Sequence, residues 1–182
     1  MSNYINNDIW SKFLAGDVDA LAIIYSEQYT RLYSYGCKIT DDKELIKDCI
    51  QDLFLKIYIN RSNLRETVNL NTYLIRALKN KLYDKFVTNI EIYSIDAIPF
   101  DLTCEESFFS QFIMTDEDLL QKNKLTKSLK MLSDRQREAI YLKFIQELTY
   151  DELCEVLEIN YQSAKNLISR TLIKLREVYF GL

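Results

Sequence analysis

The chain has 182 residues, enough for one domain or two small ones, and its 23 Lys+Arg against 27 Asp+Glu leave a net charge of −4. Histidine is absent, glycine occurs three times and proline once. No Ser-His-Asp or Cys-His constellation can be assembled without histidine, and neither a Walker loop nor a GxGxxG turn can be built. Apolar residues at 48% and aromatic residues at 13% support packed cores rather than disorder. Cys37, Cys49, Cys104 and Cys154 form no CxxC clip and are expected to be reduced, mostly buried thiols of a cytoplasmic protein. A zinc site would need cysteines and carboxylates alone, so no metal, cofactor or catalytic residue is expected. No apolar run reaches the ~18 residues of a membrane span, which argues against membrane insertion. The start MSNYINNDIW lacks the basic and apolar parts of a signal peptide.

Taken in chain order, apolar periodicity predicts helices near 6–14, 17–38, 41–59, 71–87, 116–131, 134–146, 149–157 and 161–179, with no strand alternation. The expected fold class is therefore all-α. Four helix starts carry a capping-box pattern, in which a polar N-cap pairs with an acid or amide three residues on. These are Asp41–Glu44, Thr115–Asp118, Ser133–Gln136 and Thr149–Glu152. Between about 88 and 115 helical periodicity fades and the single proline, Pro99, appears; residues 91–120 hold eight acids and no base. This divides the chain into a helical domain over 1–88, an acidic linker over 89–115 and a second helical domain over 116–182.

Three helices carry chemistry on their outer faces. In 41–59, Leu45, Ile46, Cys49, Ile50, Leu53 and Ile57 form the buried side. Glu44, Asp48, Gln51 and Asp52 form the outer side, with Leu55 projecting among the acids. An exposed leucine ringed by carboxylates fits a partner with basic and apolar groups. Helix 71–87 buries Leu74, Ile75, Leu78, Leu82 and Phe86 and presents Thr72, Tyr73, Arg76, Asn80 and Tyr83, with four bases against one acid over 71–86. Interleaved aromatic and cationic groups suit a single strand, whose bases stack on tyrosine while phosphates meet arginine. Helix 161–179 turns Ala164, Leu167, Ile168, Leu172, Leu175, Val178 and Tyr179 to its core and Lys165, Asn166, Ser169, Arg170 and Lys174 outward. It follows the short helix 149–157 after about three residues, which is the helix-turn-helix plan, and its outer face suits the major groove. A plain αα-hairpin has the same outline.

The order of these faces matches a family. Asp48-Cys-Ile-Gln51-Asp52-Leu-Phe54-Leu55 resembles the DxxQDxFL signature of region 2 in bacterial sigma-70 factors. Tyr73-Leu-Ile-Arg76 followed by Asn80 and Asp84 is similar to that region's WLxRIARN…D helix, with tyrosine for tryptophan. LKMLSDRQREAIYLKFIQELTYDELCEVLEINYQSAKNLISRTLIKLRE resembles region 4. Two domains and one linker resemble the extracytoplasmic-function (ECF) subgroup. The resemblance implies that Asp48, Gln51, Asp52 and Leu55 dock on the β′ clamp coiled coil of core RNA polymerase. It implies that the loop near 60–70, with Tyr73, Arg76, Asn80 and Tyr83, captures the opened minus-ten strand of promoter DNA. Lys165, Asn166, Ser169, Arg170 and Lys174 would read the minus-thirty-five duplex, the linker would occupy the RNA-exit path, and an anti-sigma factor would be a further partner. Three positions depart from the pattern. Glu158 replaces a turn glycine, an awkward residue wherever φ is positive. Gln146-Glu147 replaces the usual Glu-Gly, and Leu167 replaces a common base. A stand-alone helix-turn-helix regulator and a helical adaptor remain the competing readings; the first is disfavoured by the charge of −4 and the lack of a dimer seam.

Overall fold

Polar N-caps set where most of the helices start, and a computed structural model describes residues 7–64, 69–89, 99–102 and 115–181. These residues hold eight α-helices and no strand, the all-α class expected. The helices are α1 (Asn7–Leu14), α2 (Val18–Gly36), α3 (Lys43–Ile59), α4 (Leu70–Asn89), α5 (Asp116–Lys130), α6 (Asp134–Ile140), α7 (Tyr150–Leu157) and α8 (Tyr161–Phe180). A single 3-10 turn, Arg61–Asn63, follows α3, and a π turn, Tyr141–Ile145, continues α6. Thr115, Ser133 and Thr149 form complete capping boxes. The cap of α3 is a correction: Asp42, not Asp41, accepts the Leu45 N–H at 3.0 Å, because the Thr40 hydroxyl takes the Asp42 N–H and holds that residue extended ahead of the first turn.

Chain contacts divide at Tyr93/Ser94 into two compact units. In the first, α2, α3 and α4 pack pairwise and α1 lies on α2. Its core is built from Phe13, Ile24, Leu32, Ile46, Ile50, Leu74, Ile75, Leu78 and Leu82, each fully buried. Trp10 stacks on Phe13 at 5.1 Å and seats α1. Gly36 brings α2 against Ile46, whose Cγ2 would lie 2.6 Å from a β-carbon at that position.

In the second unit α5, α6 and α7 all pack on α8, around Leu132, Ala139, Leu142, Leu148, Leu153, Val156, Ala164 and Ile168. The helix expected over 134–146 widens in its last turn. Gln146 N–H reaches the Tyr141 carbonyl, the Gln146 amide donates to the Tyr141 hydroxyl at 2.8 Å, and Glu147 takes φ 56° before the Thr149 cap starts α7. This unit also holds part of the stretch expected as linker. Phe100 is buried against Tyr141, its N–H donates to Asp134 at 2.9 Å and its carbonyl accepts from Arg137 Nε at 2.6 Å. The acids at 91–98 and 103–114, with Cys104, lie outside the described residues.

Candidate polymerase and nucleic-acid interfaces

The outer face of α3 gathers the four residues singled out for docking. Asp48, Gln51 and Asp52 are exposed and Leu55 is 58% exposed. Spacings of three and four residues put them on one side of the helix. Ile59, 64% exposed and one turn beyond Leu55, extends the apolar strip; as the last helical residue it read as a helix end rather than part of a face. Asp52 is held from the neighbouring helix, because Lys81 of α4 reaches it at 2.9 Å. The hydrogen bond and charge of Lys81, with Lys85 adding, keep the Asp52 carboxyl below its ordinary range. Cys49 lies on the opposite, buried side, where burial pushes its thiol up, so it packs as a small apolar group.

On α4 the candidate strand-binding residues line one stripe: Arg76 is exposed, and Tyr73, Asn80 and Tyr83 are half-buried. One side chain read as outward is not, and one of the bases counted on this helix is buried with it. Thr72 is fully buried and Lys79 is 7% exposed, because both sit on the flank that α4 turns toward its neighbours in the bundle. The Phe86 side chain lies outside the described residues.

On α8, Asn160 caps the helix by accepting the Ser163 N–H at 2.8 Å. Lys165, Asn166, Ser169 and Arg170 are exposed and Lys174 is half-buried. Glu158 takes φ 54° in the left-handed region, closing α7 and aiming the chain into this cap. The Gln162 amide donates to Asn166 Oδ1 at 3.0 Å. Lys165 Nζ lies 5.8 Å from the Tyr161 ring, which sits 5.7 Å from Tyr150. An open depression beside this face is lined by Arg135 and Gln136 of α6 together with Ile159, Asn166 and Arg170. Arg135, Gln162 and Tyr161 were missed: Arg135 is far away in sequence, and the other two belong to a first turn read only as a helix start. The core stripe needs correction as well. Leu172 and Val178 are 43% and 37% exposed, whereas Thr171 is buried and donates its hydroxyl to the Leu167 carbonyl at 2.7 Å. Ile173 and Phe180 of α8 are exposed as well. Leu167 itself is half-buried at the edge of the core.

Cys37 and Cys154 are half-buried free thiols. Among the described residues no helix is long and apolar enough to cross a membrane, and no group of three or more Cys, Asp or Glu side chains is placed to hold a metal ion.

Two family models match, Sigma-70 region 2 over residues 24–89 and Sigma-70, region 4 over residues 122–175. Relatives include the RNA polymerase sigma factor SigZ of Bacillus subtilis (strain 168), 26% identical over 87% of this chain and 86% of that protein. The ECF RNA polymerase sigma factor SigW of the same organism is 24% identical over 89% of this chain and 90% of its own length. Among solved structures, CnrH in complex with the cytosolic domain of CnrY superposes with TM-score 0.62 at 16% identity, covering 96% of this chain and 97% of that one. RpoE of Bartonella quintana, in complex with the anti-sigma factor NepR, gives TM-score 0.58 at 20% identity over 86% and 94%. At these identities the two superpositions bear on fold. The chain belongs to the sigma-70 family of RNA polymerase sigma factors, in its ECF subgroup. That family is not one of catalytic enzymes.

Proposed function

We propose that this sigma factor works through three faces in chain order. The α3 face of Asp48, Gln51, Asp52 and Leu55 docks on the β′ clamp coiled coil of core polymerase. The α4 stripe of Tyr73, Arg76, Asn80 and Tyr83 holds the opened minus-ten strand. The α8 face of Lys165, Asn166, Ser169, Arg170 and Lys174 reads the minus-thirty-five duplex. Residues 1–88 and 116–182 carry the two working domains, and the acidic stretch 89–115, anchored to the second unit at Phe100, is directed along the RNA-exit path. The protein acts in the cytoplasm without catalysis of its own, and an anti-sigma factor restrains it.

The observation that carries this reading is the exposed Leu55–Ile59 strip beside carboxylates on α3, on a helix that Lys81 ties directly to the strand-holding α4. A docked helix that is fixed to the strand-binding helix presents its aromatic and cationic stripe in a set position. Binding unpaired bases there offsets the few kcal/mol lost on unstacking them, so opening needs no nucleotide hydrolysis. A net charge of −4 weakens unaided duplex binding, which fits a protein that meets DNA only with polymerase.

The test is association of the purified chain with bacterial core RNA polymerase, followed by size exclusion, for wild type and for Asp52→Arg with Leu55→Ala. Co-elution of wild type, lost in the double variant while its helical circular dichroism is kept, is the expected result. Folded wild type that fails to co-elute with active core from a related host would overturn the reading and favour a stand-alone duplex-binding regulator.

A further inference from the structure

The turn that follows α3 is braced by a part of the fold remote in sequence. Arg61 begins the 3-10 turn, and its guanidinium carbon lies 4.6 Å from the Tyr58 ring centroid while Nη1 donates to the Tyr58 carbonyl at 2.8 Å. Its other side meets the α1–α2 turn, where a β-carbon added to Gly16 would stand 3.3 Å from both Nε and Nη2. Gly16 has φ 97°, a conformation that side-chain-bearing residues rarely adopt, so a side chain there would strain the backbone and press on the guanidinium. The α1–α2 turn is held from both sides: Trp10 and Phe13 of α1 are buried, and the Asp17 carboxylate caps α2, accepting the Asp19 N–H at 2.8 Å. On the other side of Arg61 the turn is closed by Asn63 N–H to the Asn60 carbonyl at 2.9 Å and by the Asn60 amide to the Lys56 carbonyl at 2.8 Å.

We propose that Arg61 is a positioning residue for strand capture, its guanidinium clamped between Tyr58 and Gly16 so that the chain leaving α3 toward the minus-ten face starts from one fixed direction. This rests on the function proposed above. It also assigns α1 a task, as the prop beneath the Gly16 turn. A flat, delocalised guanidinium can stack on a ring, abut main chain and donate a hydrogen bond at once, whereas an ammonium offers only a point charge. Arg61 therefore acts by shape rather than by attracting phosphate.

The experiment uses the full chain bound to core polymerase. A single-stranded DNA strand enriched from a random library on wild-type holoenzyme serves as the probe, and wild type is compared with Arg61→Ala, Arg61→Lys and Gly16→Ala. Expected are core association like wild type in all three and a strand affinity lowered about tenfold in each, the cost of ordering a turn at Arg61–Asn63 that is no longer braced. The salt dependence of strand binding should stay unchanged, since no phosphate contact is lost. Full retention by Arg61→Lys, with a shallower salt slope in Arg61→Ala and no effect of Gly16→Ala, would make Arg61 a phosphate contact and overturn the proposal. Should Gly16→Ala fail to fold, the contrast between the two Arg61 variants decides. A wild type that binds neither core nor any strand would sink the proposed function; wild-type binding matched by all three variants would sink this inference alone.

Discussion

Two glutamates sit where the backbone asks for glycine. Glu147 and Glu158 have φ 56° and 54°, and each ends one segment and redirects the chain into the next helix cap. For a residue with a β-carbon the left-handed region costs about 1–2 kcal/mol. Glycine removes that strain but enlarges the unfolded ensemble by about 0.5–1 kcal/mol. Glu158→Gly and Glu147→Gly should therefore each stabilise the second unit by about 0.5–1 kcal/mol, raising its thermal midpoint by roughly 3–5 °C. Glu158→Ala, which keeps the β-carbon, should give no such gain. Gly36 presents the opposite case. Helix propensity alone would favour alanine there by about 1 kcal/mol, yet the Ile46 methyl stands 2.6 Å from the new carbon and Ile46 is fully buried. Overpacking wins, and Gly36→Ala should cost about 1–3 kcal/mol in chemical denaturation.

At the scale of elements, the ion pair between Asp52 and Lys81 ties α3, the helix proposed to dock, to α4, the helix proposed to hold the strand. Its pH signature has a definite sign. The folded chain holds the Asp52 carboxyl below its ordinary range, so the unfolded chain takes up the proton first as pH falls. The stabilisation is complete above the unfolded carboxylate pKa of about 3.9 and is lost as pH drops through the lower folded value. The stabilities of wild type and Asp52→Asn should thus begin to approach each other below about pH 4 and differ least once the pH has passed the lower folded value; a difference that does not shrink with acid would contradict the pairing. Elements were largely legible in the sequence, because caps and periodicity are local: Thr115, Ser133 and Thr149 announce their helices. What escaped depends on neighbours. Thr72 and Lys79 are buried because of how α4 packs with α2 and α3, the neighbours of α8 bury Thr171 and leave Leu172 exposed, and Arg135 joins the α8 face only through the tertiary fold. A helical wheel carries none of this.

For the whole molecule, the decisive segment is the one between the units, and there the sequence was read too simply. Low periodicity, Pro99 and acidic charge all describe a linker, but they say nothing of Phe100, which packs against the second unit. Phe100 is 3% exposed, its ring meets Tyr141 edge-on at 5.6 Å, and both of its backbone polar groups are taken by Asp134 and Arg137. Phe100→Ala should remove the ring's burial and its contact with Tyr141, at a cost of about 3 kcal/mol borne by the second unit alone. Hydrogen exchange would then quicken at Arg137–Leu148 while Leu74–Leu82, in the core of the first unit, stays protected as in wild type. Equal quickening in both units would show that the anchor serves the whole chain, and unchanged exchange throughout would mean that Phe100 contributes nothing to either.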